Sequence, residues 1–354
     1  MRVLFSETAI RRKYGIAWSA KILRAAGDLG PMFDVSGKSA DEIRGLITGG
    51  AAAEANVLLG GYDLIPPFIR PNPSFNLAGD DDETVPTDAP YGAKPGATAE
   101  EFVPSHIVAR IPDASGHADG ADFIKVIRFQ DAATTAKTPA KRFERCASEF
   151  KLATTAVSKA MKTGASHIVL SPPASLNGAP DVISALSGAG RVHVLLHGAN
   201  FSPDWAYLWG HGTSGAFIKG MSARQIDLCD LRGAVVTFSS CYAAMLDSGK
   251  SEAAHRNEAN QVALACLGHG AKFVVASTRS NWISLSGNGD SLGPGLIADV
   301  WRQLGRGKRA GDALRAARAA YVKRELATSQ ATDRPYILKT ALQAQLYGNP
   351  EARL

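Results

Sequence analysis

Val192-His-Val-Leu-Leu-His-Gly198 and Ala234-Val-Val-Thr-Phe-Ser-Ser-Cys-Tyr242 decide how this 354-residue chain reads. Each is a short run of β-branched and other apolar residues, the pattern of a strand buried on both faces of a parallel sheet. Each ends in a reactive side chain, His197 in the first and Cys241 in the second. In open α/β sheets the carboxyl ends of strands are where catalytic groups gather. The 44 residues from His197 to Cys241 leave room for a crossover that makes the two strands neighbours, with imidazole and thiol facing across a cleft.

Outward from these two runs, strands and helices alternate, which predicts an α/β fold with a largely parallel sheet flanked by helices. Strands are expected at 167–170, 192–196, 234–238 and 272–276. Helices are expected at 142–162, 180–186, 222–228, 258–267, 296–304 and 312–326. Toward the N-terminus, Ser39-Ala-Asp-Glu42 is a capping box for a helix through Ile47. Strands follow at 56–59 and 106–109, and a helix at 122–129. Residues 66–96 are rich in Pro, Gly, Asn and Asp and read as a long loop or flap. The polar connection 131–141 divides a smaller N-terminal α/β subdomain, 1–135, from a catalytic subdomain, 136–354.

Composition removes several function classes. Apolar residues make up 45% and charged residues 20%, so neither disorder nor a disulfide scaffold fits. The net charge of +6 comes without a Lys/Arg block or an aromatic-interleaved basic run, and no nucleic-acid partner is expected. No apolar stretch reaches the 18 or so residues of a membrane span, and no secretory h-region follows the N-terminus, so a cytoplasmic location is expected. Cys146, Cys229, Cys241 and Cys266 form no C-x-x-C pair, which argues against zinc and thioredoxin-like chemistry.

The His/Cys pairing answers a chemical need. A thiol of ordinary pKa near 8.5 is only a few per cent thiolate at neutral pH, and a nearby imidazole raises that fraction or protonates a leaving amine. Gly198 lets the backbone approach a substrate, and its N–H with that of Cys241 makes an oxyanion hole. An α/β-hydrolase would need a G-x-S-x-G elbow, and the chain has none. His211 follows no apolar strand, and His193 lies within its strand as a packed residue, so His197 is the expected imidazole.

These residues resemble the caspase-like clan of cysteine peptidases, clan CD, and within it the gingipain-type branch. Its members place His-Gly after one strand and Cys after the next, as Leu196-His197-Gly198 and Ser240-Cys241-Tyr242 do here. Asn56-Val-Leu-Leu-Gly-Gly-Tyr-Asp-Leu-Ile-Pro66, Thr87-Asp88 with Tyr91, and Val108-Ala-Arg110-Ile-Pro112 resemble the opening gingipain subdomain. Ala276-Ser-Thr278, Asn281-Trp282 and Tyr347-Gly-Asn-Pro350 resemble the closing part of the catalytic one. The likeness implies a cysteine endopeptidase with Cys241 as nucleophile and His197 as general acid/base, cleaving after basic residues, Arg before Lys.

It further implies Glu149 as the carboxylate at the base of the P1 pocket, Trp282 as a pocket wall, and Ser277 and Thr278 in substrate binding, with 278–282 pairing with an extended peptide. Leu196 departs from the glycine that gingipains carry before the catalytic His. A cytoplasmic protease of this kind needs restraint, by an activating protease or a regulatory partner in a prokaryotic pathway. Lys250 and Arg256 are the expected self-processing positions. Some family members bind calcium, and Asp80-Asp81-Asp82-Glu83 is the run open to it; no other cofactor is expected. The alternatives are a catalytically silent caspase-like module that binds partners, and an esterase.

Overall fold

The computed structural model describes residues 1–113, 120–162, 168–172, 180–199, 207–211, 215–246, 261–283 and 291–354. The chain opens with β1 (Arg2–Phe5), β2 (Met32–Asp34) and β3 (Ala55–Leu59), separated by helices Glu7–Gly27 and Ala40–Thr48. The second helix starts on the expected capping box, with Ser39 and Glu42 each bonding the other's backbone N–H. A hairpin of β4 (Phe68–Pro71) and β5 (Thr84–Thr87) precedes β6 (Ile107–Ile111). Then come β7 (Arg142–Ala147), β8 (Ile168–Ser171) and β9 (Arg191–Leu195). A small sheet of β10 (His197–Gly198), β11 (Tyr207–His211) and β12 (Phe217–Ser222) leads to β13 (Val235–Phe238), β14 (Phe273–Ser277) and β15 (Ala344–Gly348).

Ten of these strands form one sheet in the order β2-β1-β3-β6-β15-β14-β13-β9-β7-β8. Every pairing is parallel except β14 with β15. The C-terminal strand is therefore the seam: parallel to β6 and antiparallel to β14, it joins two half-sheets that run in opposite directions. The carboxyl ends of β9 and β13 thus gather at the edge opposite the carboxyl ends of β3 and β6. The halves separated in the sequence at 135/136 share this sheet, and one hydrophobic cluster holds Val57 from the first and Val194 and Tyr347 from the second.

Two expectations change. Residues 142–162 are not one helix: Arg142–Ala147 is a strand between β9 and β8, Ser148–Phe150 is a 3₁₀ turn, and the helix is Lys151–Met161. The charges at Arg142, Glu144 and Arg145 hid the strand, because Glu144 and Arg145 are wholly buried and Arg142 pairs with Glu144. Nor is 66–96 a free flap. It carries the β4–β5 hairpin, and Asp80 and Asp82 at its turn are buried.

His193 is the packed residue the sequence suggested. It is fully buried in β9 with Nδ1 3.1 Å from Thr237 Oγ1, and burial pulls its pKa down to about 3. Between that value and the ordinary 6.5, the unfolded chain binds a proton that the folded chain refuses, so stability falls as pH falls through this window. From pH 7.5 to pH 5 this residue alone removes about 2 kcal/mol of unfolding free energy. Urea unfolding at the two pH values checks it: His193→Gln loses that part of the slope, and an unchanged slope would refute the assignment.

Candidate active site

Cys241, His197 and Glu149 follow β13, β9 and β7, three strands adjacent in the sheet. The strand ends are tied together: Ser239 N–H donates to Val194 O at 2.9 Å, and Leu196 N–H donates to the buried Ser240 Oγ at 3.0 Å. Leu196, where the gingipain pattern has glycine, is 1% exposed and packs in the core. Gly198 lies against the nucleophile's backbone. A Cβ there would sit 1.9 Å from Cys241 O, so no other residue fits without displacing that loop.

The thiol of Cys241 sits between two main-chain donors, Gly198 N–H and Asn281 N–H, the latter 3.1 Å from Sγ. Burial pushes its pKa up, opposed by the Asn281 N–H, the charge of Lys339 and the Gly198 N–H, and reinforced by Asp82; the net direction is upward. The resting group at neutral pH is therefore the thiol, and a base is needed to draw off its proton. The next residue, Tyr242, has φ 56°, a left-handed conformation costing about 1–2 kcal/mol in a non-glycine residue. It is held there by its N–H to Arg279 O at 3.2 Å and by its hydroxyl, which meets Ser280 Oγ at 2.7 Å and Asp82 Oδ1 at 3.1 Å.

His197 meets two aromatic rings, Phe150 tilted at 4.7 Å and Phe217 edge-on at 5.0 Å between centroids. Its Nε2 lies 2.6 Å from Glu149 Oε1. A carboxylate at that distance selects the tautomer that donates from Nε2, leaving the Nδ1 lone pair to take a proton. The sequence reading set Glu149 at the base of a P1 pocket; the structure instead turns its carboxylate onto the histidine. Local sequence places Glu149 at the strand end and gives no information on which neighbour it faces.

Residues 277–282 also differ from expectation. Ser277 O accepts from Ala244 N–H, Thr278 N–H donates to Gln343 O, Ser280 N–H donates to Asp82, and Asn281 N–H is on the sulfur. Thr278 is fully buried, its hydroxyl donating to Pro86 O at 2.9 Å. These main-chain groups are taken within the protein. Trp282 is half-buried, its ring edge-on to Tyr336 at 4.9 Å and its Nε1–H 3.3 Å from Asp80.

Two of the four residues of the acidic run, Asp80 and Asp82, face inward, while Asp81 and Glu83 are exposed. Lys339, wholly buried, places Nζ 2.6 Å from Asp80 and 3.3 Å from Asp82. Asp80 also accepts from Ser74 at 2.6 Å, while Asp82 accepts from Tyr242 and Ser280. Among the described residues no group of three or more His, Cys, Asp or Glu converges as a metal ion would require. Lys250 and Arg256 lie outside the described residues. The sequence reading gave no role to Lys339, placed Tyr242 only as the neighbour of the nucleophile, and named Asn281 and Asp82 only for peptide pairing and for calcium, not for the contacts they make around Cys241.

No family model matches the chain, and no curated protein matches it. Solved structures do. A complex of Porphyromonas gingivalis RgpB pro- and mature domains superposes at TM-score 0.62 with 11% identity, over 100% of this chain and 79% of that one. The Arg-specific cysteine proteinase gingipain R (RgpB) superposes at 0.61 with 12% identity, over 100% and 78%. A structure described only as a protease gives 0.62, 10%, 100% and 78%. The chain has their caspase-like α/β fold, as the sequence resemblance implied.

Proposed function

We propose that this protein is a cysteine endopeptidase. The observation that carries the reading is the convergence of three strand ends: a thiol under a glycine N–H, an imidazole after the adjacent strand, and a carboxylate 2.6 Å from that imidazole's Nε2. His197 draws the proton from Cys241, and the sulfur attacks the scissile carbonyl carbon. The N–H groups of Gly198 and Cys241 receive the oxyanion. When the C–N bond breaks, the imidazolium gives its proton to the leaving amine, and a thioester remains on Cys241. His197 then takes a proton from the water that hydrolyses it. Glu149 holds the ring and balances its transient charge.

A P1 preference for Arg, with Lys second, is supported by the likeness to an Arg-specific proteinase and no longer by Glu149, whose carboxylate is engaged. A partner-restrained role is proposed because one superposed structure is a complex of pro- and mature domains, and a cytoplasmic location is proposed on the sequence reading alone. Among the described residues no helix is long and apolar enough to cross a membrane. Fluorogenic peptides with Arg, Lys, Asp or a neutral residue at P1 test the proposal. Wild type cleaves at least one class, and Cys241→Ala lowers the rate at least ~10³-fold. Equal rates in both would refute it. Silence on every peptide would favour the partner-binding module, a reading to which the upward-shifted pKa of the Cys241 thiol lends support.

A further inference from the structure

The small sheet that begins at His197 carries a second feature. In β10–β12, His197 pairs with Trp209 and Trp209 pairs with Lys219. Residues opposite one another in an antiparallel sheet share a face, and Tyr207, two residues before Trp209, shares it too. The reverse face is closed: Leu208 and Met221 are buried, and Gly210 and Gly220 lie against Ser171 at the end of β8. His197 is thus the first member of a row that looks outward and ends at Lys219.

That row is aromatic and cationic. Lys219 Nζ lies 3.9 Å from the centre of the Tyr207 ring and 5.8 Å from that of Trp209, and the two rings are 5.7 Å apart. Phe217, 57% exposed, closes the row against His197. Among the described residues no carboxylate lies within ion-pairing distance of Lys219, which is exposed; its neighbours are ring faces. An ammonium so placed attracts a carboxylate and repels a second cation.

Topology fixes which part of a substrate meets this wall. Cys241 follows β13 on one side of β9, while β11 packs over β7 and β8 on the other, so His197 stands between nucleophile and wall. A general acid must sit beside the nitrogen it protonates. The leaving half of the peptide therefore passes His197 and runs on toward Lys219. Resting on the peptidase reading, we infer that Tyr207, Trp209, Phe217 and Lys219 form the subsite for residues C-terminal to the scissile bond, and that this subsite selects acidic segments and rejects basic ones.

The test uses peptide pairs identical up to the cleaved bond, with Glu-Glu or Lys-Lys directly after it. Wild type cleaves the acidic peptide about tenfold more efficiently by kcat/KM, and Lys219→Glu reverses the order. Taking the ratio within each variant removes any general loss of activity or folded fraction. In parallel, the two labelled peptides are bound to Cys241→Ala and to Cys241→Ala/Lys219→Glu by fluorescence anisotropy. A ratio that Lys219→Glu leaves unchanged, in hydrolysis or in binding, overturns the subsite. Absent hydrolysis with an acidic preference in binding that reverses on Lys219→Glu supports the subsite while removing the peptidase reading.

Discussion

Glu149→Gln lowers kcat about 10²-fold, near 2.7 kcal/mol of transition-state stabilisation, with little change in KM and by the same factor for every P1 residue. The carboxylate faces His197 Nε2 at 2.6 Å, and its charge counts most when the ring is an imidazolium, during thiol deprotonation and leaving-group protonation. Glutamine keeps a hydrogen-bonding group in place and removes the charge, so substrate binding is spared and turnover is not. A carboxylate at the floor of a P1 pocket would behave otherwise: its loss would raise KM for Arg and Lys substrates alone. Steady-state kinetics on Arg, Lys and neutral P1 peptides separate the two roles. A loss confined to basic P1 would return Glu149 to the pocket and leave His197 without a demonstrated orienting partner.

Lys339→Met destabilises the fold by about 3–5 kcal/mol, because it leaves the buried Asp80 carboxylate without its cation. Burial pushes the Asp80 carboxyl up, and hydrogen bonds from Lys339, Ser74 and Asn72 with the Lys339 charge more than offset it, leaving it below its ordinary value. In wild type this depressed carboxyl contributes stability that is present above the unfolded pKa near 3.9 and lost as pH falls through the folded one. Without Lys339, burial acts unopposed by that charge and the folded pKa rises. The deficit relative to wild type is then largest near pH 8 and shrinks as acid neutralises the carboxyl. Urea unfolding at pH 8 and pH 5 reads both effects, and Asp80→Asn added to Lys339→Met recovers part of the loss. A variant as stable as wild type at pH 8 would contradict the buried ion pair. Turnover falls with it, since Asp82 also holds the Tyr242 hydroxyl and the Ser280 N–H behind the nucleophile.

The legibility of this fold followed burial on two faces. β9, β13 and β14 read correctly because their runs are dominated by apolar residues, and the two reactive side chains that follow β9 and β13 come from neighbouring strands as the crossover length implied. β7 did not, since Arg-Phe-Glu-Arg-Cys-Ala buries its charges in a sheet interior where sequence pattern expects apolar residues. β15 was invisible as a strand because its neighbours, β6 and β14, come from opposite halves of the chain. The same distance hid the inward turn of Asp80 and Asp82, whose partner Lys339 lies more than 250 residues away. Glu149 was found by position and its contact with His197 was not, for a side chain's neighbour across a sheet edge has no local signature.

Covalent trapping of the nucleophile tests the central claim most directly. The protein is treated at neutral pH with a slight excess of a peptidyl chloromethyl ketone matched to its preferred P1 residue, then digested and mapped by mass spectrometry. Cys146, Cys229 and Cys266 are buried, the first two pushed up to about 11 by burial and the third further still, so they stay unmodified. Cys241, with His197 as its base, takes one equivalent of label, and His197→Ala loses that labelling. Label spread evenly over the four cysteines, or an equal rate at Cys241 without His197, would contradict a histidine-activated thiol at the meeting of these strands.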